Sequence, residues 1–419
     1  MRPQVALIAT YDTKGAEAEY IKERIKSYGC ECLTIDVGVG EKPKEIPDVT
    51  LDQLLSYSGK TSAEVRLLPR GEAVSCASNA AEHYLLDLYS LGKIHAAVGI
   101  GGAGGTQIVS QALRALPFGF PKYVLSTLAS GNTRWYMQET DVSIIPSITD
   151  VAGLNSISKT IFDRFAALSA SQAKWYCDNF PVHEEELKDN SSFRIGQTMY
   201  GTTTKGVTEA RIALENDGYQ VIVFHASGSG GRSMEHFVRQ GIIHGILDMT
   251  IAEIGAHLVG GLHDGGPNRM EAAIDMGIPL VVVPGAADTV VLPPMDNLPE
   301  KFKKGRILNF HNPTMTTMRT NVEENIAIAN FLVKKLSKAT RPVKLLLPLG
   351  GLSSIDRPGA IFYYPEANEA LFQTLRDGLK GTQVEIIEDK RHIYDTGFGK
   401  DAAYLMDNIV KYYKEKNYI

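Results

Sequence analysis

A cluster of glycines lies where a strand is expected to give way to a helix. The sequence reads Gly101-Gly102-Ala103-Gly104-Gly105-Thr106 directly after the apolar stretch 95–100 and directly before a helical pattern that begins at Gln107. Glycines at such a junction let backbone N–H groups approach a phosphate, and a helix N-terminus favours an anion. The run matches neither the Walker pattern nor the strict dinucleotide fingerprint, so a tight turn between a packed strand and helix stays open as the alternative.

Two other segments of the first half are expected at the carboxyl ends of strands, where open parallel sheets bind ligands. They are Thr10, Asp12, Thr13 and Lys14 after the first strand, and Ser130 with Gly131 after the fourth. A lysine at a helix start suits a phosphate or carboxylate, whereas Asp12 and Thr13 are equally compatible with plain helix caps. Arg70 closes a long loop and either folds over the same crevice or lies in a solvated turn.

The second half contains a similar glycine-rich turn between a strand and a helix. Its candidate anion-binding residues are Gly228, Ser229, Gly230, Gly231 and Arg232. The guanidinium of Arg232 has the forked geometry that suits a phosphate or carboxylate. We expect the glycine-rich turns of the two halves to converge on one cleft, and this convergence is the argument for a ligand, because each turn alone is a weak signal.

Two histidines follow expected strands in the second half, at positions where acid–base groups are common. They are His225 and His311, which we interpret as candidate catalytic residues. Isolated histidines are more often packed or surface groups, and this reading stays open for both. The histidines have no zinc-type spacing, so no metal site is predicted.

Short β-branched runs alternate with longer helical patterns, which is typical of a parallel sheet with helices on both faces. Strands are predicted at 5–9, 32–37, 95–100, 122–127, 142–146, 194–199, 219–224, 243–249, 279–283, 305–309, 344–347 and 383–388. Helices are predicted at 15–28, 72–91, 106–116, 151–175, 204–217, 233–241, 268–276, 322–338, 366–378 and 400–416. The stretch 38–71 is expected to be an irregular loop.

A polar segment at 181–192 separates the two halves, and the strand–helix–strand pattern starts again after it. We therefore predict an α/β protein of two Rossmann-like lobes, each a mostly parallel sheet with helices on both faces. The N-terminal, nucleotide-binding lobe is placed at 1–182 and the C-terminal lobe at 193–419. A length of 419 residues fits two or three domains at roughly 150 residues each.

Charge, apolar content and cysteine content exclude several classes of protein. The formal charge of −5 and the lack of a long basic run argue against nucleic acid or an anionic membrane as partner. No apolar run approaches the roughly 18 residues needed to span a bilayer, and the N-terminus lacks the apolar core of a signal peptide. Four scattered cysteines fit reduced thiols. We expect a soluble cytoplasmic protein.

Several motifs in fixed order resemble an uncharacterised family of bacterial and fungal proteins. They include Ala9-Thr10-Tyr11-Asp12-Thr13-Lys14, the glycine run at 101–105, Phe224-His225-Ala226-Ser227-Gly228, His311-Asn312-Pro313 and Leu347-Pro348-Leu349-Gly350-Gly351. That family is similar to the N-terminal ATP-binding region of the tomato mosaic virus resistance protein. The resemblance implies a two-lobed α/β homodimer that binds ATP, with or without Mg²⁺, in its first lobe and has no settled catalytic activity.

Two hypotheses follow. The first is a nucleotide-binding protein whose phosphates lie on the glycine-rich strand-to-helix turns. The alternative is an enzyme acting on a small phosphorylated or carboxylated metabolite in the cleft between the lobes, with Arg232 holding the anion and His225 and His311 as acid–base groups.

Overall fold

A computed structural model describes residues 2–188 and 192–419, and the side chains of 2–179 and 192–419. The chain divides into two compact units, Met1–Leu187 and Lys188–Ile419. Each unit is an α/β structure built on a parallel sheet, so the predicted fold class is confirmed. Within the described residues, no helix combines the length and apolar character needed to cross a membrane.

The N-terminal unit contains a five-stranded parallel sheet. Its strands are β1 (Gln4–Ala9), β2 (Glu31–Asp36), β3 (Ala96–Gly101), β4 (Lys122–Ser126) and β5 (Ser143–Pro146), in the order β2-β1-β3-β4-β5. Its helices are α1 (Tyr11–Ser27), α2 (Leu51–Leu55), α3 (Ser62–Arg66), α4 (Arg70–Ser90), α5 (Ala103–Arg114), α6 (Arg134–Met137) and α7 (Ser156–Lys188).

Both faces of this sheet are covered, which explains why its central strands are almost wholly apolar. On one face Val5 and Leu7 of β1 share a core with Ile21 of α1 and Phe165 of α7. On the other face Ile8 packs with residues of α4 and α5. The carboxyl ends of β1 and β3 then lead directly into α1 and α5, which places the predicted nucleotide-binding turns side by side.

The C-terminal unit contains two sheets. The parallel sheet has the order β14-β13-β9-β8-β6-β7, and an antiparallel sheet has the order β10-β12-β11. The strands are β6 (Arg194–Met199), β7 (Gln220–His225), β8 (Gly245–Asp248), β9 (Leu280–Val282), β10 (Thr289–Leu292), β11 (Leu308–Asn312), β12 (Met315–Arg319), β13 (Val343–Pro348) and β14 (Val384–Asp389). The helices are α8 (Thr204–Asn216), α9 (Ser229–Arg239), α10 (Ala252–Val259), α11 (Ala272–Asp275), α12 (Val322–Leu336), α13 (Pro365–Gly378) and α14 (Phe398–Glu415).

Three sequence-based assignments were wrong, and helices α6 and α10 were not predicted. The stretch 38–71 contains α2 and α3, each begun by a capping box whose Thr-x-x-Gln or Thr-x-x-Glu pattern is visible in the sequence. Helix α7 continues into the polar segment as far as Lys188, because its glutamates and lysine are good helix formers. Residues 189–191 of that segment lie outside the described residues.

The third error concerns the antiparallel sheet. Strands β10 and β12 were not predicted, and β11 was expected at 305–309 among the parallel strands. Strand β10 is only four residues long, and β12 has two adjacent threonines, so neither gives a clear strand pattern in the sequence. As a result, His311 lies within β11 and not beyond its end.

A buried ionic cluster ties the C-terminal unit together. The guanidinium of Arg269 lies 2.7 Å from Asp248, 2.8 Å from Glu253 and 3.2 Å from Glu235. All four side chains are almost completely buried. The carboxylate of Glu235 also accepts hydrogen bonds from the backbone N–H groups of Met270 and Ala272. One cation thus pairs with carboxylates from three different elements.

We expect Arg269→Leu to lower the free energy of unfolding of the C-terminal unit by about 3–5 kcal/mol, because it leaves buried carboxylates without their cation. The control is Arg211→Leu, which removes an exposed guanidinium 3.0 Å from Glu215. That change is expected to cost less than about 1 kcal/mol. Urea-induced unfolding of the full chain measures both, and equal losses would contradict the role given to Arg269.

Candidate functional site

Eight of the residues predicted to bind a nucleotide line one cavity of about 530 Å³ in the N-terminal unit. They are Thr10, Asp12, Thr13, Lys14, Gly102, Ala103, Gly104 and Gly105. The cavity lies where β1 passes into α1 and β3 passes into α5. The structure therefore brings two of the three predicted segments of this unit together.

The other four predicted residues of this unit do not line the cavity. Gly101 and Thr106 are buried in the junction between β3 and α5, where the Thr106 hydroxyl is 2.7 Å from the hydroxyl of Ser126. Ser130 and Gly131 lie in an exposed turn after β4. Only the middle of the glycine run faces the cavity.

The glycines of this run serve two different purposes. A Cβ atom on Gly101 would stand 2.6 Å from the backbone nitrogen of Thr106, so this position has no room for a side chain. A Cβ on Gly102 or Gly104 would meet no atom closer than 3.8 Å or 3.5 Å. The tight-turn interpretation therefore explains Gly101, whereas Gly102 and Gly104 have open space in front of them.

The N-terminus of α5 opens onto this space. Helix α5 begins at Ala103, and among the described residues no side chain caps it. The first N–H groups of a helix have no partner within the helix, and together they form a partial positive charge. The wall formed by Gly102 to Gly105 is therefore a set of backbone donors that face the cavity.

Helix α1 begins at the same cavity, but its N-terminus already has acceptors. The buried carboxylate of Asp36 accepts hydrogen bonds from the N–H groups of Tyr11 at 3.1 Å and Gly38 at 2.7 Å. Burial raises the pKa of Asp36. Asp12 accepts a hydrogen bond from the N–H of Gly40 at 2.8 Å. This end of the cavity therefore carries carboxylates of the protein itself.

Lys14 also has partners within the unit. Its ammonium group donates to the carbonyl of Val151 at 2.6 Å and lies 3.8 Å from a carboxylate oxygen of Asp150. A lysine held in this way has a fixed position on the cavity wall. Its ammonium group adds positive charge to the cavity from this restricted position.

Part of the cavity wall was not predicted from the sequence. Val39, Gly40 and Glu41 come from the segment after β2, Val74 from α4 and Ile108 from α5. Arg70, which the sequence left open, also lines the cavity, and its Nη2 is 3.5 Å from the Cβ position of Gly104. The glycines at 38 and 40 were the available signal, because they mark a chain segment that approaches α1 closely.

The glycine-rich turn of the C-terminal unit differs from that of the N-terminal unit. The N–H groups of Gly228 and Gly231 donate to the same oxygen of Glu253, at 2.6 Å and 3.1 Å. Arg232 donates through Nη1 to the carbonyl of Asp264 at 3.3 Å. Ser229 is exposed at the first position of α9. Two of the amides predicted to bind an anion thus bind a carboxylate of the protein.

The candidate catalytic histidines are both exposed. His225 ends β7, and its ring centroid lies 5.3 Å from that of Tyr200. The hydroxyl of Tyr200 is hydrogen-bonded to Nδ1 of His263. Burial and the nearby imidazoles of His225 and His311 lower the pKa of His263 to about 4. Sequence reasoning did not single out Tyr200, because a tyrosine after a strand gives no spacing signal.

Gly104 and Gly230 hold the same second position in α5 and α9, and they allow a matched test. A Cβ on Gly230 would stand 1.8 Å from the carbonyl oxygen of His225, so we expect Gly230→Ala to cost about 2 kcal/mol or more. Gly104→Ala is expected to be neutral or to stabilise the protein by up to about 1 kcal/mol. Thermal and urea unfolding measure both. A similar loss in the two variants would show that Gly104 is also needed for packing.

Comparison with known proteins gives matches along nearly the whole chain. Residues 3–177 match the N-terminal domain, and residues 192–410 the C-terminal domain, of an uncharacterised protein family, UPF0261. A UPF0261 protein of Clostridium tetani is 40% identical over 98% of this chain and 100% of its own length. A UPF0261 protein of Mesorhizobium japonicum is 34% identical over 96% of this chain and 98% of its own length.

The ToMV resistance protein Tm-1(GCR237) of Solanum lycopersicum is 33% identical over 98% of this chain, which spans 56% of the tomato protein. The predicted resemblance to bacterial proteins and to the tomato protein is confirmed, whereas fungal members stay a prediction. The chain belongs to the UPF0261 family, whose function is uncharacterised.

Proposed function

We propose that the N-terminal unit binds a nucleotide, ATP, in the cavity at the start of α5. The observation that carries this proposal is the uncapped N-terminus of α5, which opens onto a cavity of about 530 Å³. Backbone donors at a helix N-terminus suit phosphate oxygens. The volume lies within the roughly 300–1,000 Å³ that is usual for small-molecule sites.

The cavity wall has one group of residues that fits the phosphates of a nucleotide and another that fits its base. The N–H groups of Gly102 to Gly105 and the guanidinium of Arg70 are the donors for phosphate oxygens. Val39, Val74 and Ile108 provide an apolar surface for the remainder of the ligand. Lys14 adds positive charge from the side of α1. The arrangement fits a molecule that has one polyanionic end and one flat, less polar end.

Two carboxylates on the same wall fit the Mg²⁺ that accompanies a nucleoside triphosphate. Asp12 and Glu41 both line the cavity. Carboxylate oxygens are hard ligands, and Mg²⁺ in such sites is held by one or two of them together with phosphate oxygens. We therefore propose Asp12 and Glu41 as the residues that favour the magnesium complex over the free nucleotide.

The alternative function, an enzyme with an anion clamp in the C-terminal unit, has weaker support from the geometry. Glu253 occupies the N–H groups of Gly228 and Gly231, and Arg232 donates to a backbone carbonyl. Because these N–H groups already have an acceptor within the protein, they are not available to the anion that the clamp was expected to hold. The first of the two hypotheses is therefore the one we favour.

The substitution Gly104→Asp tests ligand binding without an expected loss of stability. An aspartate in the first turn of α5 interacts favourably with the helix dipole by about 0.3–1 kcal/mol, and nothing in the wall blocks its Cβ. The same carboxylate would lie among the proposed phosphate donors. We expect ATP affinity to fall at least about tenfold, equivalent to about 1.4 kcal/mol, while the unfolding midpoint stays equal or rises. Isothermal titration calorimetry with and without Mg²⁺ measures the affinity.

The control is Ala63→Asp, which adds the same charge at the second position of α3, an exposed residue that does not line the cavity. This variant is expected to bind ATP as the parent does. The proposal fails if the parent protein gives no heat of binding with ATP or ADP, with or without Mg²⁺. It also fails if the Gly104→Asp variant binds ATP as tightly as the parent does.

A further inference from the structure

Four segments of the C-terminal unit contribute to a cluster of side chains near the carboxyl ends of β6 and β7. Tyr200 follows the last residue of β6, and His225 is the last residue of β7, the neighbouring strand. The ring of Tyr200 lies 5.3 Å from that of His225 and 5.8 Å from that of His263, centroid to centroid. His311 of β11 contributes, after burial and His225, to the lowered pKa of His263. Tyr200, His225, His263 and His311 are called the imidazole cluster below.

The glycines of the neighbouring turn bring two of these segments together. A Cβ on Gly230 would stand 1.8 Å from the carbonyl oxygen of His225. A Cβ on Gly228 would stand 3.0 Å from the carbonyl carbon of His263, and the φ of Gly228 is +93°. Both positions therefore need glycine, because only the bare backbone can pass between the strand end and the loop that carries His263. The turn positions the histidines.

The loop that carries His263 is fixed from several sides. The carboxylate of Asp264 accepts hydrogen bonds from the N–H of Gly266 at 2.6 Å and lies 2.9 Å from Nδ1 of His257. The carbonyl of Asp264 accepts from Arg232. Glu253, which accepts hydrogen bonds from the N–H groups of the glycine turn, forms an ion pair with Arg269. The imidazole cluster is thus a rigid arrangement, which is what a binding site requires.

The hydrogen bond between Tyr200 and His263 determines which ring nitrogen carries the proton. Burial raises the pKa of the Tyr200 phenol, so this group keeps its proton and donates. The lowered pKa of His263 keeps its imidazole neutral at neutral pH. A neutral imidazole that accepts at Nδ1 carries its hydrogen on Nε2. His263 therefore offers one N–H donor whose position is fixed by the bond at Nδ1.

We propose that the imidazole cluster is a binding site for a small oxyanion, a carboxylate or a phosphate, that accepts a hydrogen bond from Nε2 of His263. His225 and His311 are exposed, and their rings add N–H donors. Glu253, the nearby carboxylate that acts on Tyr200, is paired with Arg269 and so repels an anion less. This site lies in the C-terminal unit and goes beyond the proposed ATP binding.

The test is a long-range ¹H–¹⁵N correlation spectrum of the histidine side chains of the full chain at neutral pH. Inorganic phosphate and malonate are titrated separately. We expect saturable shifts of His225, His263 and His311 with at least one anion, and the Nε2–H tautomer at His263. The signals of His83 and His236, which lie outside the cluster, are expected to stay in place. The anion that binds more tightly identifies the headgroup.

Tyr200→Phe keeps the ring and removes the hydroxyl, so it tests positioning rather than packing. We expect the tautomer preference of His263 to be lost and the affinity for the anion to fall about threefold to tenfold, the value of one neutral hydrogen bond. Tyr404→Phe, at an exposed tyrosine of α14, is the matched control and is expected to change neither.

The proposal is overturned if neither anion moves the three signals in a saturable way, or if Tyr200→Phe leaves the tautomer and the affinity unchanged. The anion titration is repeated with the Gly104→Asp variant, which is expected to bind ATP more weakly. Unchanged anion binding there supports a separate site, and joint loss of both ligands contradicts it.

Discussion

The N–H groups at the start of a helix need acceptors, and this requirement determines what each glycine-rich turn of the protein does. Helices α1, α5 and α9 each follow directly from a parallel strand, α5 and α9 through glycine-rich turns and α1 through Thr10. Asp36 provides the acceptor for α1 and Glu253 provides it for α9. Among the described residues, no side chain caps helix α5, which opens onto a cavity. Two of these helix starts therefore have acceptors within the protein, and the third faces open space.

The acceptor for α9 also connects the turn to the core of its unit. Glu253 is completely buried, and its second oxygen is 2.8 Å from Nε of Arg269. A buried carboxylate is tolerated only where a cation and hydrogen-bond donors compensate for its lost hydration. The helix amides and Arg269 supply that compensation jointly. The turn and the ionic cluster consequently depend on each other, and the backbone of His225 is held in place by both.

The sequence predicted most of the fold because parallel strands and amphipathic helices have strong periodic signals. Strands β1, β3, β4 and β13 were placed within about two residues of their observed ends, as is usual for such signals. The antiparallel strands were missed because they are short, and because segments such as Met315–Arg319 contain two adjacent threonines and lack the alternation of polar and apolar residues. The continuation of α7 was missed because charged residues were interpreted as a linker, although glutamate and lysine favour helices.

The candidate site was predictable only in part. The sequence identified the turns at Thr10 to Lys14 and Gly102 to Gly105, because glycine and threonine after a strand are a local signal. It could not distinguish the turn at Gly228 from that at Gly104, because the deciding carboxylate, Glu253, lies 25 residues further along the chain. Arg70 and Val39 reach the cavity through a long connection whose path is set by tertiary packing. Long-range partners therefore decide which of two similar motifs is open.

The open space in front of Gly104 has an evolutionary consequence. Gly230 is required by the backbone of His225, so any sequence that keeps this fold must keep a glycine there. Gly104 meets no such steric demand, and alanine or serine would suit the helix at least as well. Retention of glycine at 104 across lineages would then record selection for a bound molecule, whereas lineages that had abandoned the ligand would drift at 104 and stay fixed at 230.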